Sequence, residues 1–285
     1  MLDKNKKILI VGLGLMGGSY ALALKEKGYR VGAVTRSPET IRYALEQGMI
    51  DEGTTAPEAA FVGAYDLVVF ALYPHLLLEW LEQYQGMLRP GALLTDVTGV
   101  KSSIVYRVQQ MLRGDVEFIG AHPMAGRELS GVRSADAGIF RGANYIVTPT
   151  AANTEAAITA CEDLGRALGV ARISRLSPEK HDEMIGFLSQ LTHCIAVSLM
   201  TCRDTGHLSA YTGDSFRDLT RIARINGDMW SELFLLNKKK LVAEIDAFSG
   251  ELNRMRTYLA DENVDKMKEM MRISTERRAL FNKKV

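Results

Sequence analysis

The chain has little of what marks several large classes of protein. Its three cysteines, Cys161, Cys194 and Cys202, are odd in number, form no CxxC pair and show no metal-type spacing to histidine. That pattern excludes a disulfide framework and leads to the expectation of a reduced, cytoplasmic setting. Net charge is almost absent, with 35 basic residues against 34 acidic ones. No bulk attraction for nucleic acid or for a membrane surface is therefore expected, while a local basic pocket for a small anion stays open. No stretch approaches the run of about 18 apolar residues that a membrane helix needs. The N-terminal MLDKNKKILIVG leads from charges through a short apolar run into glycines, without a cleavage site, and is not expected to be a signal peptide. Repeats, low-complexity segments and His/Cys/acid clusters with ligand spacing are also missing, so no metal is expected.

What is present is an ordinary globular composition, 47% hydrophobic and 24% charged over 285 residues, enough for one large domain or two smaller ones. Up to about residue 175, short apolar runs alternate with amphipathic ones, the pattern of βαβ units. Strands are predicted at residues 7–11, 30–34, 67–70, 92–95, 117–119 and 145–148, with a further one at 171–174. Helices are predicted at 17–27, 38–47 and 102–112. After Ser177-Pro178-Glu179, an N-cap, a proline at N1 and an early acid, strand signals almost vanish. Helices are then predicted at 181–203, 215–225, 229–259 and 264–281. The expected fold is a Rossmann-type doubly wound parallel sheet over residues 1–175, followed by an all-α domain over 176–285. The helices are apolar on more than one face, which favours a homodimer through that domain over a self-contained bundle.

Gly12-Leu13-Gly14-Leu15-Met16-Gly17 fits GxGxxG, follows a strand and opens a helix, as a dinucleotide site requires. Gly12 permits the tight turn, Gly14 the approach of a pyrophosphate, and Gly17 the packing of helix on strand. At the end of the second strand, where a carboxylate would bind the ribose 2′-OH, stand Thr35, Arg36 and Ser37. Arg36 suits a 2′-phosphate, which points to NADP; if Arg36 merely stacks on adenine, NAD serves as well.

Two further strand ends look functional. The segment from Thr95 to Lys101 contains Asp96 and Thr98 and faces the ligand crevice, so Asp96 is taken as a cofactor-side residue. In the second, Pro123 keeps His122 extended, and a histidine at such a strand end is a candidate base. In the helical part Ser189 and His193 share a face at i and i+4, and Asp218 and Arg221 share another at i and i+3. The latter two are either a structural ion pair or an acid that orients an arginine towards a substrate carboxylate. His181, near a helix start, is expected to be a cap or ion-pair partner, His75 and His207 surface groups, and residues 267–271, rich in methionine, a packing stretch.

GLGLMGGS, TDVTGVKS, GAHPMAG, LSQLTH, and DLTRIA followed by MW together resemble the prephenate and arogenate dehydrogenases of tyrosine biosynthesis, from residue 7 to at least 240. The resemblance implies a Rossmann-like domain, a helical dimerisation domain, and oxidative decarboxylation of a cyclohexadienyl ring with a nicotinamide cofactor. It implies that His122 accepts a hydrogen bond from the ring hydroxyl and that Arg221 binds a substrate carboxylate. Glu128 and Asp218 would organise that arginine at the pocket entrance, Ser189 and His193 would line the pocket, and Trp230 would stand near its mouth. Gly99 occupies the place of the family's serine, and neighbouring Thr98 is the candidate to replace that hydroxyl. Prephenate is the expected substrate, with arogenate the alternative. A regulatory domain after the helical part is not expected, because no βαββαβ pattern follows it. Two competing readings are a β-hydroxyacid dehydrogenase or imine reductase, with Lys180 as its lysine, and a non-catalytic NADP sensor.

Overall fold

The computed structural model describes residues 2–204 and 206–281. Two compact units divide after Asn237. In the first, the strands are β1 (Lys7–Val11), β2 (Arg30–Val34), β3 (Glu52–Thr54), β4 (Leu67–Phe70), β5 (Leu93–Asp96), β6 (Glu117–Pro123), β7 (Asn144–Thr148) and β8 (Arg172–Arg175). They form one sheet in the order β3-β2-β1-β4-β5-β6-β7-β8. β1 to β6 are parallel, which is the doubly wound arrangement with its order reversing between β1 and β4. Three features differ from the sequence prediction. β3 was not foreseen, because EGT is short and polar. The sheet is also mixed, since β7 runs antiparallel to β6, and β8 follows β7 in parallel. β6 is longer than predicted: where its pairing with β5 stops at Ile119, pairing with β7 starts at Gly120 and carries the strand through His122.

The central strands are apolar throughout because both faces are covered. Ile8 and Ile10 of β1 pack with Tyr20 and Leu24 of α1 (Leu15–Glu26) and with Leu164 of α6 (Glu155–Leu168). Leu9 and Val11, pointing the other way, pack with Leu77 and Trp80 of α4 (Pro74–Tyr84) and with Ile104 and Val108 of α5 (Ser102–Met111). Between these lie α2 (Pro38–Glu46) and the short α3 (Ala59–Val62).

α7 (Pro178–Ile185) starts as foreseen, with Ser177 accepting from the Lys180 N–H at 3.2 Å. The helix continues through a π segment, Gly186–Leu191, into α8 (Thr192–Thr201). By length and composition the run Pro178–Thr201 could cross a membrane, although no single apolar stretch in it is long enough. Its buried polar groups are satisfied within the unit: Gln190 donates to the Leu233 carbonyl at 3.0 Å, and Asn237 donates to Gln190 at 2.7 Å and to the Asp182 carbonyl at 2.9 Å. α9 (Asp214–Thr220), a 3-10 turn Arg221–Ala223 and α10 (Gly227–Leu236) complete the unit. Leu233 of α10 joins the second core face, and Glu232 accepts from the His75 N–H at the start of α4 at 2.7 Å. The composition changes at residue 175, but these contacts extend the compact unit to Asn237.

The predicted helix 229–259 is interrupted at Asn237, whose side chain turns inward. The second unit holds α11 (Lys238–Ala260) and α12 (Val264–Ala279), joined by a turn in which Glu262 has φ 53° and Asn263 caps α12. Met271, expected to pack, is 55% exposed.

One ion pair lies wholly inside the first unit: Lys101 Nζ stands 2.6 Å from Asp96 Oδ2, and neither side chain is exposed. Lys101→Met would leave the Asp96 carboxylate buried without its counter-charge. A loss of about 3–5 kcal/mol is expected in urea unfolding at neutral pH. A loss below about 1 kcal/mol would mean the pair behaves like an exposed one.

Candidate active site

The glycine loop has the geometry of a dinucleotide cradle. Gly12 has φ +97°, and a Cβ there would lie 2.5 Å from the Ala71 carbonyl oxygen at the end of β4. A Cβ on Gly17 would fall 1.8 Å from the Gly12 carbonyl oxygen, so only glycine lets α1 lie this close to β1. A Cβ on Gly14 would meet nothing within 4 Å: it would project into open space at the start of α1, where no side chain caps the helix. Free N–H groups and the positive end of the helix dipole are thus left for an anion. Leu13 is buried in the core, while Leu15 and Met16 form the first turn of α1. The residues present fit a dinucleotide. Arg36 is exposed beyond β2, and among the described residues no carboxylate pairs with it. Thr35 is half-buried beside it. Ser37 accepts from the Thr40 N–H at 3.2 Å as the cap of α2, so its oxygen is partly committed.

Asp96 and Thr98 stand at the end of β5 as expected, but their polar groups are engaged within the protein. Asp96 is fully buried. One oxygen accepts from the Ala121 N–H at 3.1 Å, and the other takes Lys101, the Thr98 N–H and the Thr98 hydroxyl. With the carboxylate fully buried and both oxygens bonded within the protein, Asp96 serves as an internal anchor. The Thr98 hydroxyl is used by Asp96 and by the Val100 carbonyl, 2.9 Å away, and cannot replace the missing serine hydroxyl. Lys101 also donates to the Ala121 carbonyl, so both polar groups of the residue before His122 are gripped.

His122 is half-buried near the end of β6. Its Nδ1 is 2.9 Å from Nε2 of His181, whose Nδ1 is 2.8 Å from Asp182 Oδ1. Asp182 in turn accepts from the backbone N–H groups of Lys101 at 2.7 Å and Ser102 at 2.8 Å. Burial, the neighbouring His181 and the Lys101 cation hold His122 well below its ordinary value. Burial, opposed by Asp182, also lowers His181. Both rings are therefore neutral at neutral pH.

A second cluster faces outward. Arg221 Nη1 donates to Glu128 Oε1 from the loop after β6. Of the two acids expected around Arg221, Glu128 takes the guanidinium; Asp218, also suggested by helical spacing, is exposed, and among the described residues no ion pair joins it to Arg221. His193 stacks on Trp230 with ring centroids 3.7 Å apart and donates from Nδ1 to the Ser189 carbonyl at 2.8 Å. Burial lowers His193, and the charges of Glu128 and Arg221 act on it in opposite senses, so the two pairs are neighbours. Ser189 lies in the π segment, a distortion often found at functional sites. Lys180, the alternative catalytic lysine, is exposed and pairs with Glu183 at 2.5 Å.

Sequence reasoning missed Lys101, His181, Asp182, Gln190 and Asn237 as site-building groups. No local signal marked them: His181 and Asp182 stand among the charged residues Glu179, Lys180 and Glu183 of α7, and only the fold shows that they are buried.

A dinucleotide cradle at the point where strand order reverses, with a neutral histidine at a strand end on the same edge of the sheet, defines a nicotinamide-dependent oxidoreductase. The family model described as prephenate dehydrogenase, nucleotide-binding domain, matches residues 20–173, and that described as prephenate dehydrogenase, dimerization domain, matches residues 177–273. The chain belongs to the prephenate dehydrogenase family. It is 31% identical to the prephenate dehydrogenase of Bacillus subtilis over 269 residues, covering 91% of this chain and 72% of the relative. The prephenate dehydrogenase of A. aeolicus, crystallised with hydroxyphenyl propionate and NAD+, superposes with a TM-score of 0.88 at 30% identity, covering 97% of this chain and 98% of that one. The arogenate dehydrogenase of Synechocystis superposes with a TM-score of 0.82 at 25% identity, covering 97% and 100%.

Stability should depend on pH through the buried histidines. In the unfolded chain they take up protons as pH falls below the ordinary value of 6.5, whereas in the fold their lowered values resist protonation. Asp182, also lowered in the fold, acts with the same sign at more acidic pH. Stability is thus full above about pH 6.5 and is lost on acidification. Urea midpoints measured from neutral to acid pH should fall in that direction, and a flat profile would contradict the neutral pair.

Proposed function

We propose that the chain is a prephenate dehydrogenase that oxidises and decarboxylates prephenate to 4-hydroxyphenylpyruvate, with His122 as the base. The observation that carries this reading is the neutral His122 ring, held at the end of β6 and backed by His181. A neutral imidazole can take the proton of a ring hydroxyl at cellular pH. When bound, the nicotinamide supplies a hydride acceptor. As the hydride leaves the carbinol carbon, His122 takes the hydroxyl proton. The ring carboxylate then departs as CO2, and its electron pair aromatises the ring towards the oxygen, which recovers the proton.

Arg221 uses one nitrogen on Glu128, which leaves guanidinium donors for a substrate carboxylate. Glu128 holds that guanidinium, and His193, Trp230 and Ser189 form the adjoining wall. For the cofactor, the exposed Arg36, which pairs with no carboxylate among the described residues, favours NADP over NAD. We assign residues 1–175 to cofactor binding and 176–285 to substrate binding and dimerisation. A homodimer is supported by the matched dimerisation model and by exposed Phe187, Leu188, Leu219 and Leu235 on the helical segments. A cytoplasmic setting is in keeping with three free cysteines.

The test is steady-state turnover of prephenate and of arogenate, each with NADP and with NAD. Prephenate with NADP should give the highest kcat/KM. Preference for arogenate would move the substrate assignment, preference for NAD would remove the Arg36 argument, and no turnover of either ring would refute the function. In Arg221→Ala, KM for prephenate should rise at least about tenfold with kcat changed less, as for a contact shared by ground and transition states.

A further inference from the structure

His122 has no side chain in front of it on the loop after β5. A Cβ at Gly99 would lie 3.9 Å from His122 Cε1, so a side chain at this position would reach the ring, and this chain has none. Among the described residues, the ring's hydrogen-bond partner comes from behind, from α7.

The protonation pattern of that support can be worked out from its far end. Asp182 is a carboxylate, because it accepts the backbone N–H groups of Lys101 and Ser102. Having only acceptors, it requires a proton on the facing His181 Nδ1, 2.8 Å away. A neutral His181 with its proton on Nδ1 presents a bare Nε2. That lone pair requires a proton on His122 Nδ1, 2.9 Å away. A neutral His122 with its proton on Nδ1 has its free lone pair on Nε2, the nitrogen not engaged by the protein.

We infer that His181 and Asp182 are positioning residues that lock His122 as the Nδ1–H tautomer and so leave Nε2 as the base. The chain Asp182, His181, His122 does from behind what a side chain at position 99 would do from the front. The inference rests on His122 being the base proposed above. When Nε2 takes the substrate's hydroxyl proton, the Nδ1–H bond to His181 persists, and the positive charge on the ring faces a neutral imidazole backed by a carboxylate. The charged groups around the two rings are Lys101 and Asp96 from the β5–α5 segment and Asp182 from α7. Lys101 opposes protonation of both rings, and Asp182 favours a proton on His181. Histidine partners of this kind fix tautomer and orientation, and loss of the correct tautomer is costly to a base.

The test reads the tautomer itself. The full-length protein, labelled with 15N-histidine, is examined at neutral pH by long-range proton–nitrogen correlation, with the His122 signals assigned by their loss in His122→Asn. In the wild type, His122 should show a protonated Nδ1 and a bare Nε2. In His181→Leu, a protonated Nε2 should appear, and kcat should fall by about 10- to 100-fold with KM for both substrates within about twofold. His181→Gln, which can still present an acceptor to His122, should keep the Nδ1–H ring and most of kcat; it also serves if the leucine variant does not fold. A wild-type His122 protonated on Nε2, or an Nδ1–H ring unchanged in His181→Leu, would overturn the inference. Full activity in His122→Asn would instead remove the base assignment on which it rests, and the two failures are read from different measurements.

Discussion

The buried pair of Asp96 and Lys101 is the interaction on which the site depends. Removing two charges from water is unfavourable unless nearly every lone pair and proton finds a partner. Here they do. Asp96 accepts from Ala121, Thr98 and Lys101, while Lys101 donates to Asp96, to Thr98 at 3.3 Å and to the Ala121 carbonyl. The pair thereby stitches the end of β5, the loop after it, the start of α5 and the middle of β6 into one block. His122 is the next residue along β6. The backbone of Lys101 is in turn held by Asp182, so the same block fixes the start of α7 and with it His181. One ionic contact thus places the proposed base, His122, and the histidine behind it from two elements 59 residues apart in sequence.

Burial is the main influence that keeps His122 and His181 unprotonated, and the Lys101 cation acts in the same sense on both. The outward cluster is built differently. Arg221 and Glu128 are substantially exposed, at 63% and 35% of their side chains, so their mutual attraction is screened, which suits the proposed capture of a substrate carboxylate. The proposed function thus divides between a buried inner site for proton transfer and an exposed outer one for anion capture.

Much of this was legible from local pattern. The glycines of the β1–α1 turn announce a backbone that no other residue can follow, and β1, β2 and β4 announce themselves as unbroken apolar runs. His122 was marked by its strand end and by Pro123. Helical spacing marked Arg221 but left its role open, and the resemblance added Glu128, which contacts it, and Trp230. What stayed hidden is long-range. β3 has too few apolar residues to register, and the direction of β7 depends on the path of the chain between residues 124 and 143 rather than on its own residues. Asp96 and Thr98 were correctly placed at a strand end but assigned to ligands, because a sequence does not reveal that Lys101 folds back over them. Asp218 was paired with Arg221 by helical spacing, whereas Glu128, 93 residues away, took the contact. His181 was read as a cap or ion-pair partner; it meets Asp182 as a neutral ring through a hydrogen bond, and His122 on its other side could not be read.

The central claim is that His122 drives hydride loss from a ring carbinol that ends in decarboxylation. The most direct test is single turnover of prephenate deuterated at the carbinol carbon, with deuterium in the reduced nicotinamide and released CO2 measured together. The account expects one deuterium transferred per CO2 released in the wild type, and neither in His122→Asn at the same time. CO2 release without deuterium transfer, or equal transfer in the variant, would contradict it.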